Sequence, residues 1–225
     1  MTLQTVNILF QLIAFLFAIS VHESAHAWTA NRRGDPTARM LGRVTLNPIK
    51  HIDPVGTILL PLIAYLTHFP MIGWAKPTPV DPRNFKNPVL DDILTSVAGP
   101  ISNFIVATGA TLLLALIALA APGGRMIVQG ALRGFALGNS ILVPASLLLY
   151  AFVEINVLLA VFNLIPVPPL DGSHVLRHFL SDRVRQVYDT VGIFGLMALV
   201  FLAPGLLGKL IFPVIGFFDS ILLRV

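Results

Sequence analysis

Over residues 3–30 the chain carries one charged side chain, Glu23. A run of that length crosses ~30 Å of hydrocarbon as a helix. Lipid offers backbone N–H and C=O groups no water, so such a run must satisfy them internally, and a helix does this within one segment. Similar runs cover residues 91–121, 137–165, 190–203 and 206–223. The chain has 225 residues, 56% hydrophobic and only 12% charged, whereas soluble domains carry about twice that share of charge. The fold class implied is an all-α integral membrane protein with about five transmembrane helices. It is expected to form a single polytopic domain over residues 1–225, closing in a helical hairpin over 188–225.

Two stretches break this pattern. Residues 55–72 are long enough to span, but Pro61 interrupts them and Pro54 and Pro70 flank them. Proline removes a backbone donor and clashes in a helix interior, so the segment either crosses or dips and returns, and the charge distribution favours the re-entrant reading. Residues 39–46 alternate loosely around Gly42, with Met40, Val44 and Leu46 against Arg43 and Thr45. That pattern predicts a short strand or β-hairpin after the first helix.

The charge distribution orients these elements. Of the 15 Lys and Arg, all but Arg125, Arg133 and Lys209 fall on one side if residues 55–72 dip and return. By the positive-inside rule that side is cytoplasmic and the N-terminus is outside, in the cell membrane. The bases sit at the ends of apolar runs without an interleaved aromatic patch. The net charge of +4 therefore suits lipid headgroups, and no nucleic-acid partner is expected. Residues 1–20 contain no Lys or Arg, so they are read as a retained span rather than a signal peptide. Cysteine is absent, which removes disulfides and thiolate metal ligands.

Within the first apolar run lies His22-Glu23-Ser24-Ala25-His26. Residues four apart share a helix face, so two imidazoles at this spacing can grip one metal ion, with zinc the default. Glu23 beside them is placed to take a proton from an attacking water. Ionisable side chains inside a span each cost about 2.5–3.5 kcal/mol, so the triplet marks a site rather than idle packing. Hydrolytic zinc sites use three protein ligands. Asp171 is the best candidate for the third, because Pro166, Pro168 and Pro169 stiffen the turn that carries it, just past a membrane end. The chemistry expected is peptide-bond hydrolysis with one Zn²⁺ per chain. A membrane zinc transporter or channel, or a non-proteolytic scaffold that binds membrane helices, are the alternative readings.

The chain resembles the site-2 protease family of intramembrane zinc metalloproteases. The motifs that carry the resemblance are His22-Glu23-Ser24-Ala25-His26, His51-Ile52-Asp53-Pro54-Val55-Gly56-Thr57, Gly73-Trp74-Ala75-Lys76-Pro77, Ala98-Gly99-Pro100-Ile101-Ser102-Asn103, and Asn163-Leu164-Ile165-Pro166-Val167-Pro168-Pro169-Leu170-Asp171-Gly172. They cover residues 21–176. The resemblance implies that His22, His26 and Asp171 bind zinc and that Glu23 is the catalytic acid/base. It also implies that membrane-spanning protein or peptide substrates are cut near the cytoplasmic face. Asn163 is implied to lie close to the metal, and Asn163 and Asn103 are candidates for positioning the substrate or its oxyanion. No PDZ or CBS module accompanies these motifs, so the chain is similar to the short members of the family.

Overall fold

In a computed structural model of the chain, which describes residues 2–60, 63, 74–137 and 140–225, the apolar runs are helices. They are α1 (Leu3–Arg33), α2 (Pro88–Ala120), α3 (Gly124–Leu132), α4 (Leu142–Asn163), α5 (Asp171–Arg177), α6 (Asp182–Leu202) and α7 (Pro204–Arg224). Five of these, α1, α2, α4, α6 and α7, are long and apolar enough to cross a membrane. The chain is thus an all-α multi-pass membrane protein.

The chain divides into two compact units, Met1–Ala18 with Pro100–Val225, and Ile19–Gly99. In the larger unit α4 is the central helix. Buried residues make up 44% of its spanning window, against 6% in α6 and 11% in α7, which present most of their surface outward. Leu114, Val128, Val153, Val157 and Leu222 form the fully buried apolar core. A polar tie runs through it. Asn103, fully buried, donates to the Ala18 carbonyl at 3.1 Å and to Asn156 Oδ1 at 2.8 Å. In lipid, where apolar burial gives helices little reason to associate, such bonds and close packing hold them together. Tyr150 on α4 donates to Asp219 Oδ1 on α7 at 3.0 Å.

In the smaller unit the end of α1 and the start of α2 run antiparallel. Arg33 Nε donates to Asp91 Oδ1 at 2.6 Å, and seven residues back along α1 the His26 ring meets the Thr95 carbonyl. The loops between the two helices gather on Asp35, which is fully buried. Its carboxylate accepts from the Asp81 N–H at 2.8 Å, the Asn84 amide at 2.9 Å, and both the N–H and hydroxyl of Thr37.

Several boundaries differ from the sequence expectation. No strand forms over residues 39–46. Thr37–Met40 closes instead as one helical turn, followed by a turn through Gly42 at φ +67°. The alternation there is too short to bury one face, and Asp35 binding the Thr37 N–H favours a turn. After α2 the chain turns at Gly123 in the left-handed region and forms α3, an amphipathic helix that no spanning run announced. The fourth span starts at Asp182, because Asp182 and Arg185 pair one turn apart and continue the helix into its charged end. The expected re-entrant segment opens as a wide turn over Pro54–Leu59, capped by Asp53 Oδ1 on the Val55 and Gly56 N–H groups. Most of its remainder, and His68, lie outside the described residues.

Burial by itself would raise the Asp35 carboxyl. The bonds from Thr37, Asp81 and Asn84 outweigh it and hold the group below the usual carboxylate range. Its stabilisation is therefore complete above the unfolded value of about 4 and is lost as pH falls through the lower folded value. Asp35→Asn should lower the unfolding midpoint clearly at pH 7. The gap to the wild-type chain should narrow below about pH 4, measured by thermal unfolding in detergent.

Candidate metal centre

His22, Glu23 and His26 lie within the last four turns of α1, where the 3.6-residue period puts both histidines on one face. Both are buried, and their rings meet edge to face with centroids 4.7 Å apart. The His26 Nδ1 sits 2.7 Å from the Thr95 carbonyl of α2. A carbonyl only accepts, so Nδ1 carries the proton and the lone pair is on Nε2. Metal-binding histidines are typically oriented by such a bond.

Gly99 lies against both histidine rings. A Cβ built on it would lie 2.6 Å from His22 Nε2 and closer still to His26 Nε2. Both ring nitrogens therefore lie close against the α2 backbone, an approach that is open because residue 99 has no side chain. Two imidazole nitrogens this close to one backbone position can share one divalent metal ion. Zinc–nitrogen bonds of about 2.0–2.1 Å need such an approach. The donor set fits zinc.

Glu23 points to other partners. Its Oε2 accepts from the Thr78 N–H at 2.9 Å and from the Thr78 hydroxyl at 2.6 Å. The Arg43 guanidinium lies 3.9 Å from the same oxygen, and both side chains are largely buried. Thr78 belongs to an extended strap, residues 74–80, fastened at several points. The Trp74 N–H donates to the Gly56 carbonyl at 3.2 Å and the Lys76 N–H to the His51 carbonyl at 2.9 Å. Arg43 donates to the Lys50 carbonyl at 2.9 Å and also to the Lys76 carbonyl. Burial holds the His51 imidazole below its ordinary value. It is thus neutral at pH 7, and its Nε2 sits 2.8 Å from the Thr45 carbonyl.

The other candidates lie in the larger unit. Asp171 is the first residue of α5, reached through Pro166–Pro169 with a cis bond between Pro168 and Pro169. Gly172 beside it lies against the end of α4, and a Cβ there would meet the Ile165 carbonyl oxygen at 2.8 Å and the Leu164 carbonyl closer still. A bare backbone at Gly172 thus seats the start of α5. Asn163 is half-buried and donates one amide hydrogen to the Leu159 carbonyl at 3.0 Å. Asn103 has both amide hydrogens committed to the helix tie already described.

The family model of peptidase family M50 matches residues 10–203. The "Putative zinc metalloprotease YwhC" of Bacillus subtilis (strain 168) is 36% identical, over 88% of this chain and 81% of that protein. The "Putative zinc metalloprotease Rip2" proteins of Mycolicibacterium smegmatis and Mycobacterium tuberculosis (strain H37Rv) are 26% and 29% identical. Each alignment covers 91% of this chain and 71% of the relative. The chain belongs to peptidase family M50. The resemblance to site-2 proteases read from the motifs therefore holds. No solved structure matches the chain.

Sequence reasoning did not single out Thr78, Thr95 or Arg43, and it named Gly99 only as part of a family motif. Thr78 and Glu23 are 55 positions apart, and neither periodicity nor spacing links them. Gly99→Ala should place a methyl group in the histidine cradle. The expected result is loss of bound zinc, checked by elemental analysis of the purified protein, with the far-ultraviolet helix signal retained.

Proposed function

We propose that this chain is a zinc-dependent endopeptidase that cuts membrane-protein substrates in or beside their transmembrane segments, close to the cytoplasmic face. The observation that carries this reading is the convergence of the His22 and His26 ring nitrogens over Gly99, with Glu23 next to them on the same helix. Membership in a peptidase family and the names of the relatives support zinc and peptide hydrolysis.

His22 and His26 supply two ligands and Asp171 the third. In support, Asp171 is a carboxylate on a stiff turn, within a motif that resembles the family's. A zinc ion held by these residues would supply Lewis acidity toward the scissile carbonyl and the attacking water. Glu23 takes the proton released as the new C–O bond forms. It gives the proton to the amide nitrogen as the C–N bond breaks, so the amine leaves neutral. Asn163 has a second amide hydrogen beyond the one used within its helix and is our candidate for holding the substrate carbonyl. Asn103, fully committed, serves the helix packing.

The substrate class follows from where the site is built. His22, Glu23 and His26 are part of a helix long and apolar enough to span a membrane, so a bond that reaches them comes from a membrane segment. The last turn of that helix carries Arg32 and Arg33, and Arg32 lies over the Trp28 ring at 5.2 Å. Aromatic and basic residues together mark an interface, and an excess of Lys and Arg marks its cytoplasmic side. The protein accordingly sits in the cell membrane with its N-terminus outside.

Glu23→Gln should keep one zinc per chain and lose cleavage by roughly 10²–10⁴-fold, whereas His22→Ala and Asp171→Ala should lose the metal. Mass spectrometry of membrane peptides from cells with the wild-type chain or Glu23→Gln is the direct check. Identical fragments in both would sink the mechanism.

A further inference from the structure

The mechanism above treats the Glu23 carboxylate as symmetric, but its surroundings are not. Among the described residues, every hydrogen bond to the side chain goes to Oε2, from the Thr78 N–H at 2.9 Å and the Thr78 hydroxyl at 2.6 Å. The Arg43 guanidinium approaches the same oxygen. A backbone N–H and a guanidinium cannot accept a proton. Among the described residues, the acceptors in range of the hydroxyl hydrogen are both Glu23 oxygens, Oε2 and the main-chain carbonyl at 3.0 Å.

We infer that Thr78 is a positioning residue that reserves one oxygen of Glu23 for proton transfer. Oε2 is held by donors, so both the proton taken from the attacking water and the proton returned to the leaving amine travel on Oε1. The pair of Thr78 bonds also fixes the carboxylate torsion, since one donor lies on the backbone and one on the side chain of a single residue. The strap in turn fixes Thr78: Lys76 is tied through its N–H to His51 and through its carbonyl to Arg43. Glu23 is thereby oriented by residues more than fifty positions away in the chain, before substrate arrives. Such orientation matters because a misplaced reacting group costs up to about 100-fold in rate.

This inference rests on the endopeptidase reading, and the test separates the two. The full-length protein is purified, loaded with zinc and reconstituted in liposomes with a pool of synthetic single-span peptides. Thr78→Val keeps the side-chain shape and the N–H but removes the hydroxyl donor. It should lower kcat roughly 10- to 100-fold, with KM within about twofold and with zinc content unchanged. Thr78→Ser restores the donor and should return kcat to within about threefold of wild type. Independently of activity, Glu23→Ala should speed amide hydrogen exchange in residues 74–80 by about tenfold or more, since the Thr78 N–H loses its acceptor. Wild-type kcat in Thr78→Val, failure of Thr78→Ser to restore it, or unchanged exchange in Glu23→Ala would each overturn the role of Thr78 alone. Absence of zinc-dependent cleavage by the wild-type chain, or cleavage by Glu23→Gln, would overturn the endopeptidase reading and this inference with it.

Discussion

A carboxylate on a membrane-spanning helix has to be provided with donors by the protein, because lipid supplies none. Burial of an unpaired charge costs several kcal/mol, and Glu23 avoids that cost through Thr78 and Arg43. Much of the smaller unit serves that end. The strap of residues 74–80 is extended because its N–H and C=O groups are used by Gly56, His51, Thr57 and Arg43 rather than by its own chain. Arg43, itself buried, is admitted because it caps the carbonyls of Lys50 and Lys76 while facing Glu23. The polar interior is thus a network in which each group offsets the desolvation of another.

The same economy of space governs the histidines. Thr95 fixes the tautomer of His26 from the neighbouring helix. Gly99, four residues on and so on the same face of α2, leaves room where both ring nitrogens point. A helix interior normally disfavours glycine by about 1 kcal/mol relative to alanine. Here that cost accompanies a close approach: a side chain at residue 99 would collide with both histidine rings. Gly172 follows a related logic beside Asp171, where the start of α5 lies against the carbonyls that end α4.

Much of the fold could be read from the chain. Long apolar runs became helices because a lipid environment leaves the backbone few other solutions, and five helices suited to spanning were expected and found. Where that constraint weakens, so did the reading. Residues 39–46 gave a strand-like alternation but form turns, because Asp35 competes for the local N–H groups. The short helix α3 and the charged first turns of α6 lie outside the most apolar stretches, and tertiary packing and local ion pairing settle them.

For the site, the sequence by itself determined the chemistry's raw material. A helix with histidines four apart and a glutamate between them sets two imidazoles on one face, since 3.6 residues per turn leaves no alternative. Only the tertiary structure decided what surrounds them: that Thr95 orients one histidine, that Gly99 opens the cradle, and that Thr78 and Arg43 converge on one oxygen of Glu23. Those contacts join residues some 20 to 75 positions apart, and helical periodicity carries information only over a few turns. Their pairing is fixed by which buried donors and acceptors can reach each other when two helices and a strap close around a charge.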